Sequence, residues 1–353
     1  MRSLALCLLI GFLVGACSSS SDDGGNIAGT PAVDPSLNVR LATMITEIDG
    51  TPQFLFEYDY DSLGRIDTIT RINLDTMDET SITTHTYGPD GIVSRSNAFE
   101  TETFFYENGR ISRIESDASF GENFSYTYDN SGRLSNVVGD GFFLDGDCIV
   151  VTPAGSEPVL PTYQITYSDD RLTNITGSEG DITNLAYDAQ GMLATLDTVA
   201  DCGEFTMASV TFGYDAEGRP VTASTAFVDG SSFPGEETEE LVASYSGGLL
   251  STVEITSTGS SFTGASFTEI TTTSYSYDAQ GLLTMAVVEI DEESGNELIN
   301  LASINLAFTY EEGRCAGQQT AYPHRALFLD LQPNFQPSDG DAALACVFSI
   351  DNF

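Results

Sequence analysis

Tyr126-Thr127-Tyr128-Asp129-Asn130-Ser131-Gly132-Arg133-Leu134-Ser135-Asn136-Val137 is the stretch whose reading decides the fold. Its two tyrosines alternate with polar residues, which is the period of a strand with one buried face. Asp129 to Gly132 is turn chemistry. An aspartate can hydrogen-bond the backbone of the turn it opens, and glycine takes positive φ at little steric cost. A type I turn closed by a left-handed glycine and a bulge suits the spacing, with Asn130-Ser131-Gly132 as a three-residue loop. That register sets Asp129 against Arg133 at the hairpin mouth and Tyr128 against Leu134 on the opposite face.

The formula recurs along the chain. Strong copies begin at Tyr60 (Asp61, Gly64, Arg65), Tyr106 (Gly109, Arg110), Tyr187 (Asp188, Gly191), Tyr214 (Asp215, Gly218, Arg219), Tyr277 (Asp278, Gly281) and Tyr310 (Glu311, Gly313, Arg314). Weaker ones centre on Tyr87, Tyr167 and Tyr245, so ten copies run from Tyr60 to Tyr310. Internal repetition of this kind marks an array of one supersecondary unit.

The pattern Tyr-x-Tyr-Asp-x-x-Gly-Arg-Leu resembles the YD repeat of the RHS (rearrangement-hotspot) proteins, over residues 54–315. The resemblance implies consecutive antiparallel hairpins laid side by side, and in the large toxin members such a sheet closes into a hollow shell. This chain has only ten copies, and it lacks the Asp-Pro-x-Gly self-cleavage region that follows the repeats in those toxins. The expected fold is therefore all-β: an extended or rolled antiparallel sheet of about twenty strands over residues 39–315. A C-terminal cap over residues 316–353 is expected to cover the last edge. The turn residues Asp61, Gly64, Arg65, Asp129, Gly132, Arg133, Asp188, Gly191, Asp215, Gly218, Arg219, Asp278 and Gly281 are expected to be structural. Within a copy, Leu134 and Val137 are three apart, so on a regular strand they face opposite ways. Either a bulge intervenes or the sheet curls over itself; the expectation is the curled sheet, with tyrosines as a ladder on its inner face.

At the N-terminus, Met1-Arg2-Ser3 and the apolar run Leu4–Val14 read as a signal peptide over residues 1–16. Leu13-Val14-Gly15-Ala16-Cys17 resembles a bacterial lipobox, which implies an acylated Cys17 and a lipid bilayer as partner. Residues 17–38, rich in Ser, Asp and Gly, read as a flexible linker. Ser18 after the cysteine is similar to lipoproteins sorted to the outer membrane, so the expected location is the bacterial cell envelope.

Acids number 53 against 12 basic residues, all arginine, for a formal net charge of −41. Phosphate binding needs clustered cations, so nucleic acid is excluded as a partner. Of the six cysteines, Cys148, Cys202, Cys315 and Cys346 remain after Cys7 leaves with the signal and Cys17 is acylated. In an exported chain these suggest two disulfides, Cys148 with Cys202 and Cys315 with Cys346.

The chemistry inventory is thin. There are two histidines, His85 and His324, neither in a zinc-ligand spacing, and a surface or packing role is expected for both. No catalytic residue and no cofactor is expected. Asp145-Gly146-Asp147, Asp291 to Glu297 and Asp339-Gly340-Asp341 offer oxygens to Ca²⁺, but none completes an EF-hand loop. The repeat tyrosines could stack on sugars; packing of the sheet, with each hydroxyl finding a partner, is the expected role. The functional expectation is a non-enzymatic, lipid-anchored envelope protein presenting a surface for binding or adhesion, to carbohydrate or another surface component. An envelope polysaccharide hydrolase using loop carboxylates and a truncated relative of RHS toxin shells are the alternatives.

Overall fold

The computed structural model describes residues 39–118, 123–139, 161–169, 171–178, 182–199, 206–228, 238–260, 266–294 and 297–312. These residues form strands and turns, and no helix occurs among them. The strands are β1 (Val39–Ile48), β2 (Thr51–Tyr60), β3 (Ile66–Asn73), β4 (Asp78–Tyr87), β5 (Ile92–Ser96) and β6 (Thr101–Glu107). β7 (Arg110–Ser116), β8 (Phe124–Tyr128), β9 (Leu134–Val138), β10 (Thr162–Ser168), β11 (Arg171–Gly177), β12 (Ile182–Tyr187) and β13 (Leu193–Val199) follow. The series ends with β14 (Thr206–Tyr214), β15 (Pro220–Val228), β16 (Thr238–Ser246), β17 (Leu249–Ser260), β18 (Ser266–Tyr277), β19 (Leu283–Ser294) and β20 (Glu297–Glu312).

Each strand pairs antiparallel with the next, and β1 also pairs with β20, so the twenty strands close into a barrel. The expectation of an open or rolled sheet is corrected here: closure satisfies both edges that an open array would expose. The edge that the cap was expected to cover is occupied by β1; residues 316–353 themselves lie outside the described residues. Twenty strands spaced about 4.8 Å apart give a perimeter of roughly 100 Å.

The repeat explains why the faces sort. In nine hairpins the register slips by one residue just before the repeat tyrosine, between Thr127 and Tyr128 for example. The slip leaves Ser135 unpaired, so Tyr128 meets Leu134 while Tyr126 meets Val137. A bulge of this kind returns residues three apart to one face. Leu134 and Val137 are both buried, as are Ile111 with Ile114 and Leu172 with Ile175. The expected curling of the sheet over both faces is therefore corrected: the bulge accounts for the spacing. Where the extra residue carries a hydroxyl it often secures the kink. Ser112, Ser135, Thr173, Ser251 and Thr284 each donate to the carbonyl of the residue before the tyrosine, at 2.9–3.3 Å.

The buried face is apolar and the other is polar. Phe124 and Tyr126 are buried while Ser125 and Thr127 between them are exposed. Gln164, Asn184, Glu240 and Glu254 continue the exposed face around the ring. Membrane-spanning barrels carry the reverse pattern, an apolar band outside and polar residues within. The inner side chains form three clusters that run from strand to neighbouring strand: the first spans Ile92 to Phe212, the one around Leu250 meets it at Phe212, and the one around Leu41 meets the Leu250 cluster at Tyr275.

Closure uses half a repeat from each end of the chain. Tyr310 and Glu311 of β20 face Leu41 and Arg40 of β1, as Tyr128 and Asp129 face Leu134 and Arg133 within one hairpin. The register slips between Leu41 and Thr43, passing over Ala42 as it passes over Ser135. Arg40 binds Glu311 at 2.6 Å, doing what Arg133 does for Asp129. Leu41 and Met44, again three apart, are both fully buried. The strand that begins at Val39 thus supplies the second half of the tenth copy, a part expected from Arg314.

Candidate functional site

The repeat turns all lie at one rim, because they join strands in the same sense around the ring. Asp129 N–H donates to the Arg133 carbonyl at 2.8 Å and Gly132 N–H to the Asp129 carbonyl at 2.9 Å. Asp61, Asp188, Asp215 and Asp278 open turns with the same two bonds. In each of the five, the aspartate Oδ1 accepts the backbone N–H groups two and four residues on, for example Ser131 and Arg133. Arg65, Arg133 and Arg219 add ion pairs to the Oδ2 of Asp61, Asp129 and Asp215 at 2.6–2.8 Å. The backbone and side chain of Arg133 hold the Asp129 carboxyl below the usual range. Asp61 and Asp215 are also lowered: burial works against this, and hydrogen bonds from Arg65 and Arg219 outweigh it. Each of these five aspartates thus binds the backbone of its own turn.

The tyrosines couple one repeat to the next. Tyr128 Oη donates to the Ile111 carbonyl at 2.8 Å, and Tyr167 Oη to that of Leu134 at 3.0 Å. Ten such bonds occur among the described residues, and the one from Tyr60 to the Leu41 carbonyl, at 2.7 Å, ties β2 to the strand that closes the ring. Turn arginines stack over the next ring: Arg133 lies 4.5 Å from the Tyr167 centroid, Arg65 4.2 Å from Tyr87 and Arg40 4.4 Å from Tyr60. Gly132 has φ +83°, and a Cβ there would strike the Arg110 guanidinium that lies over Tyr128. One residue type therefore serves both the turn and the stack. Burial drives the phenol pKa values up, to about 12 for Tyr106, Tyr128 and Tyr214 and further for Tyr58, Tyr60 and Tyr275. The tyrosines are therefore used in packing, and ring faces covered by arginine are not open to sugars.

A second arrangement escaped the sequence reading. On the inner face, the positions occupied by Tyr126, Val137 and Tyr163 in one rung are occupied by His85, Arg95 and Glu102 in another. His85 is only 4% exposed, which corrects the surface half of its expected role. Its Nδ1 is buried without a hydrogen-bond partner. Arg95, directly opposite on β5, binds Glu102 of β6 at 2.5 Å. Aligning the ten copies position by position would have exposed this rung, since elsewhere its places are mostly apolar.

The outer wall of β8 to β12 is a third feature, bordered by the exposed Asp197 of β13, which pairs with Asn184. It presents Ser125, Thr127, Asn136, Gln164, Asn174 and Asn184, among them the amide pair Asn174 Nδ2 to Asn184 Oδ1 at 3.0 Å. Thr176 Oγ1 donates to Asn174 Oδ1 at 2.7 Å. These are neutral donors and acceptors on a rigid sheet.

Cys17, Cys148, Cys202, Cys315 and Cys346 lie outside the described residues, as do His324, Arg314, Asp145, Asp147, Asp339 and Asp341. Asp291 and Glu292 sit on β19. Among the described residues no group of three His, Cys, Asp or Glu stands close enough to hold a metal ion. Among them, too, no helix is long and apolar enough to cross a membrane.

No protein-family model and no curated protein matches the sequence. Among solved structures the chain is similar to part of the TcdB2-TccC3-Cdc42 structure, at 14% identity and TM-score 0.33, over 70% of this chain and 16% of that one. It thus spans about a sixth of that neighbour's length. It is also similar to porin-like proteins from Bacteroides uniformis (12% identity, TM-score 0.34, 77% of this chain and 98% of that one) and Bacteroides vulgatus (10%, 0.29, 77% and 99%). Likenesses of this size assign neither a family nor an activity; the described residues form a closed, antiparallel, all-β barrel of twenty strands.

Proposed function

We propose that this is a YD-repeat barrel exported to the bacterial cell envelope, held to the lipid bilayer by acylated Cys17, and used without catalysis as a binding or adhesion module. The supporting observation is the hydroxyl and amide wall on β8 to β12, bordered at β13 by the exposed Asp197, and present while the turn aspartates and tyrosine hydroxyls are already engaged. Such a wall suits a ligand that is itself rich in hydroxyls, and carbohydrate is the class we favour. β1 begins and β20 ends at the rim that carries the repeat turns, Val39 being paired with Glu312. In this reading residues 17–38 serve as the tether, and a coil of about 20 residues would reach roughly 25 Å, enough to leave the side wall accessible above a membrane.

A glycan array probed with the chain from Val39 onward tests this reading. Binding to a restricted set of neutral glycans is expected, weakened at least ten-fold by Asn174→Ala with Asn184→Ala. An array without signal would remove carbohydrate as the ligand, and signal unaffected by the two substitutions would remove this wall as the site.

A further inference from the structure

Among the described residues, β4 is the strand that contributes nothing to the three apolar clusters. Its inner face carries Ser81, Thr83, His85 and Tyr87. The apolar belt is interrupted there, and the charged rung of His85, Arg95 and Glu102 fills the gap. We propose that β4 and β5 form an acid-opened gate in the barrel wall, in which a proton taken up by His85 parts the two strands and exposes the buried inner face.

The reasoning begins with what surrounds the imidazole. Its Nδ1 is buried and has no hydrogen-bond partner, so a proton taken up there meets no acceptor. The facing charge is a cation, Arg95. Glu102 lies behind Arg95 and is already engaged with it. The carboxylate of Asp67 belongs to an exposed residue, so it gives the buried ring no partner. A buried cation without a counter-ion is strongly disfavoured, and here it would lie beside a second cation. The pairings at risk are short: β5 has five residues and meets β4 at four positions and β6 at three. An equivalent rung elsewhere, Tyr126 with Val137 and Tyr163, has no group that titrates in mild acid.

Burial first, and Arg95 second, lower the His85 pKa from 6.5 to about 4. The closed wall therefore holds neutral imidazole, while an opened segment binds the proton at its ordinary value. Stability of the closed form is full above 6.5 and declines as pH falls towards 4. At pH 5 this linkage favours opening by about thirty-fold relative to neutral pH.

Amide hydrogen exchange on the full chain at pH 7.5 and 5.0, corrected for intrinsic rates, reads the gate. Peptides from β4 and β5 are expected to lose protection by about thirty-fold more than peptides from β10 to β13. His85→Gln, neutral throughout, should abolish the difference. If that variant does not fold, the wild-type protein still decides, because it has two histidines whose ring signals can be followed by NMR. Opening of β4 and β5 must then track the titration of the His85 ring. Equal pH response in both regions, the same response in His85→Gln, or opening that does not follow the ring would overturn the proposal.

Discussion

Leu41→Ala is expected to destabilise the protein by about 4 kcal/mol, at the upper part of the range for a buried leucine. Leu41 is fully buried, and its position is the point at which two chain ends make one repeat. Its carbonyl accepts Tyr60 Oη, its side chain packs with Met44 and Phe308, and its neighbour Arg40 bridges Glu311 and the Tyr60 ring. Arg40→Ala should add about 1 kcal/mol, since the ion pair is partly solvated and the ring contact is the firmer part. The loss has a second signature that an interior position such as Leu134 should lack. Loosening β1 frees the edges of β2 and β20, and free edges pair with other molecules. Urea denaturation with light scattering checks both: a double variant within 0.5 kcal/mol of wild type and strictly monomeric would contradict the closure.

Alkaline unfolding is expected to be cooperative and to coincide with ionisation of the tyrosine ladder. Burial raises the pKa of Tyr106, Tyr128 and Tyr214 to about 12, and Tyr58, Tyr60 and Tyr275 are raised further. With the folded value above the unfolded one, stability is full below about pH 10 and is lost as pH rises through 12. Each of the first three contributes a loss of about 2 kcal/mol after allowing for partial solvent access. Together these three come to about 6 kcal/mol, comparable with the whole stability of an ordinary domain. Absorbance at 295 nm and the far-ultraviolet β signal should therefore change together above about pH 11. Phenols ionising near pH 10 with the β signal intact would show that the ladder is open to solvent.

How far the sequence discloses this architecture depends on the range of the interaction concerned. The turn from Asp129 to Arg133 is local, and its hydrogen bonds follow from the residue types. The pairing of Tyr128 with Leu134 follows from the same reasoning. The bulge was one of two explanations for apolar residues three apart, and a single copy could not separate them. Closure was not legible because Arg40-Leu41 has no tyrosine or turn before it in the chain. Its signal lay in the Leu41 and Met44 spacing, which matches that of Leu134 and Val137. His85, Arg95 and Glu102 occupy repeat positions but not the turn formula, and their meeting depends on three strands held in register. The hydroxyl and amide wall was hidden for a different reason: serine, threonine and asparagine in alternation reveal an exposed face, while a patch requires neighbouring strands.

Closure of the ring by β1 on β20 is tested most directly by a disulfide placed across it. Thr43 and Thr309 are paired in register, with hydroxyl oxygens 2.6 Å apart. Thr43→Cys with Thr309→Cys should oxidise readily, and peptide mapping should recover a link joining residues 266 positions apart in the chain. Thr43→Cys with Ser224→Cys, on the distant strand β15, should give no such link. A folded protein in which the Thr43 and Thr309 positions fail to cross-link, or link no better than the distant pair, would contradict the barrel.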